Sequence, residues 1–528
     1  MVLASLLVLP GCGGPDSGTA PGEQAGRELE LLDIAQLQSL MEEGELTAEE
    51  LTHHCLDRIA ALDDAGPRLN AIIEINPDAL EIATALDGER RQIGPRGPLH
   101  GIPVLLKANI DTADRMSTTA GSLALVGHHA SGDAFLVARL REAGAVILGK
   151  TNLSEWANFR SSRSSSGWSS QGGQTRNPHV LDRSPCGSSS GSAVAVAAGL
   201  APLAVGTETD GSVVCPSGVN GIVGIKPTLG LISRVGIIPI AHSQDTAGPM
   251  ACSVRDAAIL LSAMAVRDPD DPAAGAFPEP RPEYLAALGE SSLKGLRVGV
   301  MRDYFGAGNH TRVEELFETA IAVFKNLGAE VVDPADLGDR EGLDAAEYAV
   351  LLYEFKADLA VYLRAHGSPN GMGALEDLIA YNNANRTNTM PWFGQEIFIE
   401  AAEKGSLTEQ AYLEALEKSK RLSRQAIDGA LEKDDLDLII APTNGPSWLV
   451  DLVNGDNFGT SVASSTLPAV SGYPNITLPM GAVHGLPIGL SLFGTAHSEP
   501  ALLRAAHAFE QAAAPRKVPE FIPTIVVE

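Results

Sequence analysis

Between Ser184 and Thr228 the chain reads SPCGSSSGSAVAVAAGLAPLAVGTETDGSVVCPSGVNGIVGIKPT, and few folds can accommodate such a stretch. Two polar turns built from small residues, Ser188-Ser189-Ser190-Gly191 and Thr207-Glu208-Thr209-Asp210-Gly211-Ser212, enclose a run of small apolar residues from Ala193 to Val205. Small side chains in both turns let backbone N–H groups come close to a ligand, which anion or oxyanion binding requires. A flexible Gly/Ser linker does not enclose an apolar element between two turns. The stretch therefore reads as one buried element that carries two polar turns to a common site.

These residues resemble the amidase signature family, serine hydrolases that use Ser–Ser–Lys in place of Ser–His–Asp. The family's GGSSSGSA turn matches Cys186-Gly187-Ser188-Ser189-Ser190-Gly191-Ser192-Ala193, with Cys186 in place of the first glycine. Its G-T-D-x-G-G-S turn matches Gly206 to Ser212, with Glu208 and Asp210 as departures. Lys107, at the end of Gly101-Ile102-Pro103-Val104-Leu105-Leu106-Lys107, matches the family's strand lysine. Gly149-Lys150-Thr151-Asn152 with Glu155, Gln244-Asp245-Thr246-Ala247-Gly248-Pro249 and Tyr473-Pro474-Asn475 extend the match over about residues 30–515. Among the family's branches the chain looks most like bacterial peptide amidases.

The resemblance implies a Ser-cisSer-Lys triad, with Ser212 as nucleophile, Ser188 as proton relay and Lys107 as base. The peptide N–H groups of Thr209, Asp210, Gly211 and Ser212 would form the oxyanion hole. A lysine base must be neutral, so burial has to lower its pKa from about 10.4 to ~7–8. That shift costs on the order of 4 kcal/mol. By its local sequence alone Lys107 reads as a charge snorkelling out at a strand end. The two serine turns downstream reverse that reading. Asp210 is expected to turn its carboxylate away from the oxyanion, towards solvent, a partner or the substrate. The implied reaction is amide hydrolysis through an acyl-enzyme, with the C-terminal amide of peptides as substrate and no cofactor or metal. Asn382 to Arg386 followed by Pro391 to Glu396 is a polar-then-aromatic stretch suited to lining a cleft over an extended chain; the competing reading is a helix cap with core aromatics.

Other chemistries are weighed on the same residues. Gly187-Ser188-Ser189-Ser190-Gly191 also satisfies the G-x-S-x-G nucleophile elbow, which would make Ser189 the nucleophile, with His484, His497 or His507 as base. The elbow requires a strand directly before it, and Arg176 to Pro185 is polar and contains proline. A small aliphatic, aryl or fatty amide is the alternative substrate, and a non-catalytic anchored binding lipoprotein the non-enzymatic reading. A net charge of −28 argues against nucleic acid, whose binding depends on basic patches that neutralise phosphates.

The start, MVLASLLVLPGCGG, resembles a lipoprotein signal over residues 1–12, with Cys12 as the lipidated residue and a Gly/Pro/Ser/Thr-rich tether over 13–29. The expectation is export to the cell envelope with attachment to the membrane through Cys12. No Lys or Arg precedes Arg27, a departure from the positive n-region of export signals, and the alternative is a cytoplasmic protein. No later apolar stretch is long enough to span a bilayer, so the body is expected to be soluble. Cys55, Cys186, Cys215 and Cys252 match no zinc spacing. They are expected to be free, buried small hydrophobes, with a Cys186–Cys215 pairing left open.

Helical spacing of Leu31, Ile34, Leu37 and Met41 predicts a first helix, and Thr47-Ala48-Glu49-Glu50 a capping box for a second. Asn76-Pro77 starts a third, Ile102–Leu106 reads as a strand, and Asp133–Ala143 as a helix before the strand Ala145–Leu148. Pro- and acid-rich residues 267–292 read as a linker or surface excursion. Strand Leu296–Met301, helix Val313–Leu327 and strands Glu330–Val332 and Leu436–Ile440 form a second α/β portion, with helical patterns over 341–432. The expected fold is α/β: a single large α/β/α sandwich around a mixed β-sheet. Within an amidase domain over 30–528, a helical layer covers 30–96, a catalytic core 97–265, and a second α/β portion with a helical cap 293–528.

Overall fold

The computed structural model describes residues 28–289, 291–513 and 516–525. The expected signal with Cys12, and the tether as far as residue 27, lie outside them.

Among the described residues, eleven strands form one mixed sheet. From one edge the order is Ile72–Ile75, Val146–Thr151, Pro103–Lys107, Leu203–Glu208, Thr246–Ala251 and Val223–Lys226. It continues through Asn475–Val483, Leu486–Phe493, Leu438–Pro442, Arg297–Val300 and Glu330–Val332. Pro103–Lys107 runs parallel to both of its neighbours, and Leu203–Glu208 pairs antiparallel with Thr246–Ala251. The central strands are buried along their whole length, which is why they read as continuous apolar runs. The expected second α/β portion is thus the far half of the same sheet. Its connection to the first half, the Pro- and acid-rich excursion, is tied down where Asp268 accepts from Ser233 Oγ and Asp271 from the Arg234 N–H.

Local signals place the outer helices. Asp33 caps Ile34–Glu42 and Thr47 caps Ala48–Arg58, each in a reciprocal capping box with the residue three positions on. The apolar element between the two serine turns is split, where the sequence pattern predicts one run. Helix Ser190–Ala197 ends at Gly199 (φ 66°), with Leu200 N–H bonded to Ala195 O and Gly199 N–H to Val196 O. This double closure needs a left-handed residue, which glycine supplies, and the chain then turns back as strand Leu203–Glu208. All eight residues of the helix are buried. A Cβ on its Gly191 would stand 2.3 Å from Ala71 O and 2.5 Å from Asn152 O, so only glycine permits this approach to the sheet edge.

Helices Leu343–His366, Leu375–Ala384, Glu396–Ala402 and Gln410–Asp434 form the predicted helical region. The first three close a second apolar cluster over Trp156, Phe159, Ile238 and Ile240, beside the catalytic half of the sheet. No helix among the described residues is long and apolar enough to cross a membrane.

Candidate active site

Lys107 is the last residue of its strand and is fully buried. Its Nζ lies 2.8 Å from Ser188 Oγ, 2.8 Å from Thr207 Oγ1 and 3.0 Å from Thr207 O. Burial lowers its pKa to about 7, against the opposing pull of the Asp245 and Glu208 carboxylates. This is a desolvated amine, and the snorkelling reading does not hold. A neutral amine has two N–H donors and one lone pair. With the two oxygens of Thr207 accepting both donors, the lone pair is left facing the Ser188 hydroxyl. Asn109 Nδ2 donates to the same Thr207 Oγ1 at 3.0 Å and fixes that acceptor in place.

Ser188 is fully buried and follows a cis Gly187–Ser188 peptide bond. Its carbonyl accepts from Ser154 N–H at 3.1 Å. The neighbouring Ser189 serves the scaffold: its Oγ donates to Thr207 O at 3.0 Å and accepts from Thr207 N–H at 3.2 Å. Its own N–H donates to Ser212 O at 3.1 Å, so the two serine turns are bonded to each other. The nucleophile-elbow reading fails here, because no strand runs directly into the turn and both hydroxyl partners of Ser189 are backbone groups of Thr207.

Ser212 stands at the end of the second turn and is 8% exposed. Among the described residues, no carbonyl or side chain takes a hydrogen bond from the N–H groups of Asp210, Gly211 or Ser212. Gly211 has φ 75°, a conformation that lets consecutive N–H groups point to one side. Glu208 anchors the turn from below: its Oε2 accepts from the N–H groups of Val213 at 2.7 Å and Val214 at 3.0 Å. Thr209 Oγ1 donates to Asp245 Oδ1 at 2.6 Å, while Asp245 Oδ2 takes the N–H groups of Ile240 and Ala241, both at 2.8 Å. Burial raises the Asp245 carboxyl to about 6. A cavity of about 310 Å³ opens here, with Asn109, Thr207, Thr209 and Asp245 on one wall and apolar Ile237 and Ile238 on another.

One expectation is corrected and two are narrowed. Cys186 and Cys215 are joined in a disulfide, Cα–Cα 6.1 Å, and are not free thiols. The bridge ties the turn before Ser188 to the helix that follows Ser212, two segments whose approach is a product of the fold and invisible as spacing. Asp210 is partly buried, its Oδ2 accepting from Thr466 Oγ1 at 2.9 Å, so it is held by its own chain and not left open to solvent alone. The stretch 382–396 is divided between its two readings: Asn382, Thr389, Met390, Phe393 and Gln395 are buried, while Asn383, Ala384, Arg386 and Trp392 are exposed. Asn382 is 1% exposed and donates to Gln395 Oε1, and Phe393 stacks on the Arg160 guanidinium at 4.6 Å. Arg160 is itself buried against Glu155, which explains a structural role for the Gly149-to-Glu155 motif. Sequence reasoning missed Thr207 and Asn109 as the groups that orient Lys107; their signal was position, inside the second turn and two residues beyond the lysine.

A family model described as Amidase matches residues 50–503. The native peptide amidase of Stenotrophomonas maltophilia superimposes with a TM-score of 0.88 at 50% identity, covering 93% of this chain and 99% of its own. A crystal structure of the peptide amidase PAM with the competitive inhibitor chymostatin gives 0.89 at 51%, with the same coverage. A probable amidase of Arabidopsis thaliana is 40% identical over 93% of this chain and 91% of its own length. A putative amidase of Schizosaccharomyces pombe is 37% identical over 93% and 87%. Subunits A of glutamyl-tRNA(Gln) amidotransferases also match, that of Moorella thermoacetica at 38% identity over 92% of this chain and 97% of its own length.

Proposed function

Since the chain belongs to the amidase family and is an amide-hydrolysing enzyme, we propose that it releases ammonia from the C-terminal carboxamide of peptides through an acyl-enzyme on Ser212. The observation that carries the mechanism is the 2.8 Å contact between the buried Lys107 amine and Ser188 Oγ. Ser212 Oγ attacks the carboxamide carbon as its proton passes to Ser188, whose own proton moves to Lys107. The negative charge that develops on the carbonyl oxygen is held by the free N–H groups of the turn, each donor of this kind contributing about 10²–10³ in rate. Lys107, now an ammonium, returns the proton through Ser188 to the departing nitrogen, and ammonia leaves. Water then enters by the same route in reverse and releases the acid. The cycle leaves the enzyme's protons where they began.

The triad variants separate these roles. Ser212→Ala and Lys107→Ala are expected to lower kcat by about 10³-fold or more. Ser188→Ala is expected to cost far more than Ser189→Ala. An active Ser212→Ala with a dead Ser189→Ala would overturn the assignment.

The peptide reading is supported by likeness to two peptide amidase structures over nearly the whole chain. The net charge of −28 disfavours a tRNA substrate of the kind named for the amidotransferase relatives. Ammonia release is expected from a peptide amide, with internal peptide bonds intact and the free acid inert. A strong preference for benzamide or a fatty amide would replace this substrate with a small or fatty one.

We also propose that the protein is exported and held at the membrane through a lipidated Cys12. The run Val2–Leu9 before Leu9-Pro10-Gly11-Cys12 supports this, as does the Cys186–Cys215 disulfide, a bond that persists in oxidising compartments. Cys12→Ala is expected to release the protein from the membrane fraction. Failure of the wild type to incorporate labelled fatty acid would contradict the anchor.

A further inference from the structure

Asp210, which stands where the family has glycine, leads out of the nucleophile turn towards a second crevice. This crevice has a volume of about 350 Å³, and its walls include Glu347, Asp344, Asp303, Ser464 and Thr466. Thr466 is the residue that holds Asp210 Oδ2. Glu347 reaches the same turn from the other side: Gln244 Nε2 donates to Glu347 Oε1 at 2.8 Å and to Thr209 O at 3.3 Å. Arg340 also lines the crevice and is paired with Asp303.

Four carboxylates thus gather beside the turn, with Arg340 paired to Asp303 and the buried Lys226 near enough to act on Asp210. Two buried polar atoms have no hydrogen bond among the described residues: Asp210 Oδ1, whose carboxylate also has the Ser465 hydroxyl beside it, and the Oγ of Ser464, a residue 6% exposed on the crevice wall. Burial and the charge of neighbouring carboxylates push both Asp210 and Glu347 above the usual carboxylate range. A positive charge placed between them would offset that repulsion. At the mouth stands Phe305, 59% exposed, an aromatic ring of the type that attracts cations across its face.

We propose that this crevice receives a cationic group, an ammonium or guanidinium, carried by the acyl part of the substrate. The inference rests on the peptide-amide reading. Asp210 precedes Ser212 by two residues, a reach of at most about 7 Å along the chain. The charge therefore belongs within the last residues before the scissile amide: a Lys or Arg side chain, or the free amino terminus of a very short peptide. Either source presents N–H donors to Asp210 Oδ1, Glu347 and Ser464 Oγ, while Asp344 supplies longer-range attraction at the mouth.

The test compares kcat/KM for tripeptide amides that differ only in one of the last two side chains, Arg or Lys against norleucine. Each is made with a free and an acetylated amino terminus. The wild type is expected to favour the cationic member about tenfold or more, mainly through KM, with the preference shrinking at 1 M salt. A fall in kcat/KM on acetylation of the norleucine peptide assigns the charge to the amino terminus; an Arg or Lys preference that persists between the acetylated peptides assigns it to the side chain. Asp344→Asn and Glu347→Gln, each read as the cationic-to-neutral ratio within one variant, are expected to reduce the preference three- to tenfold. If the buried Glu347→Gln fails to fold by circular dichroism, the exposed Asp344→Asn decides. Equal kcat/KM for all four peptides, cationic and neutral, free and acetylated, or a preference untouched by the folded variants, overturns the crevice assignment and leaves the peptide-amide reading standing. Failure to cleave any of these peptides while small amides are cleaved overturns that reading instead.

Discussion

The site depends on keeping one lysine dry. An amine with water around it is an ammonium at neutral pH and has no lone pair to offer. Moving Lys107 from its ordinary range to about 7 requires on the order of 5 kcal/mol of bias towards the neutral form. The protein supplies that bias by placing the amine at the end of a strand that is buried along its length. The carboxylates of Asp245 and Glu208 pull the other way, and burial, which raises both carboxyls, weakens that pull while their hydrogen bonds serve the scaffold. Asp245 is occupied by Thr209 and two backbone N–H groups, and Glu208 by the N–H groups of Val213 and Val214. Each carboxylate thereby holds a segment of the nucleophile turn or of the loop beside it.

The sheet order brings the parts together. Parallel pairing of Pro103–Lys107 with Leu203–Glu208 sets Leu106 opposite Val205, so Lys107 and Thr207 meet where both strands end. The helix Ser190–Ala197 lies between the two serine turns in sequence and packs against this part of the sheet, which returns Ser188 to the same end. Ser189, the Ser189–Ser212 backbone bond and the Cys186–Cys215 bridge then hold one turn to the other. Residues far apart in the chain are fixed by backbone pairing and by few flexible side chains, which suits a proton path built from short contacts.

Much of this was legible in the sequence for identifiable reasons. The capping box at Thr47, the apolar strand ending at Lys107 and the small-residue turns are local patterns, and local patterns survive into structure. The matched motifs carried the family, and with it the α/β architecture and amide hydrolysis. What the sequence hid was contact between distant segments: the Cys186–Cys215 bond, the turning of Asp210 onto Thr466, and the use of Phe393 to cover the buried Arg160. The polar-then-aromatic stretch at 382–396 shows the difficulty well. Its composition suits a cleft wall and a core equally, and the structure divides it, burying Phe393 on Arg160 and leaving Trp392 exposed.

The central claim is that a neutral, desolvated Lys107 accepts the proton. Protonation removes its lone pair, so activity should be lost as pH falls below the lysine's own pKa and be fully present above it. The most direct measurement is the pH dependence of kcat/KM on a peptide amide whose own groups do not titrate near neutrality. The account predicts a single-proton acid limb centred at about 7, rising to a plateau at higher pH. A profile flat across neutrality, or one governed by a group near the ordinary carboxylate range, would show that Lys107 is not the base.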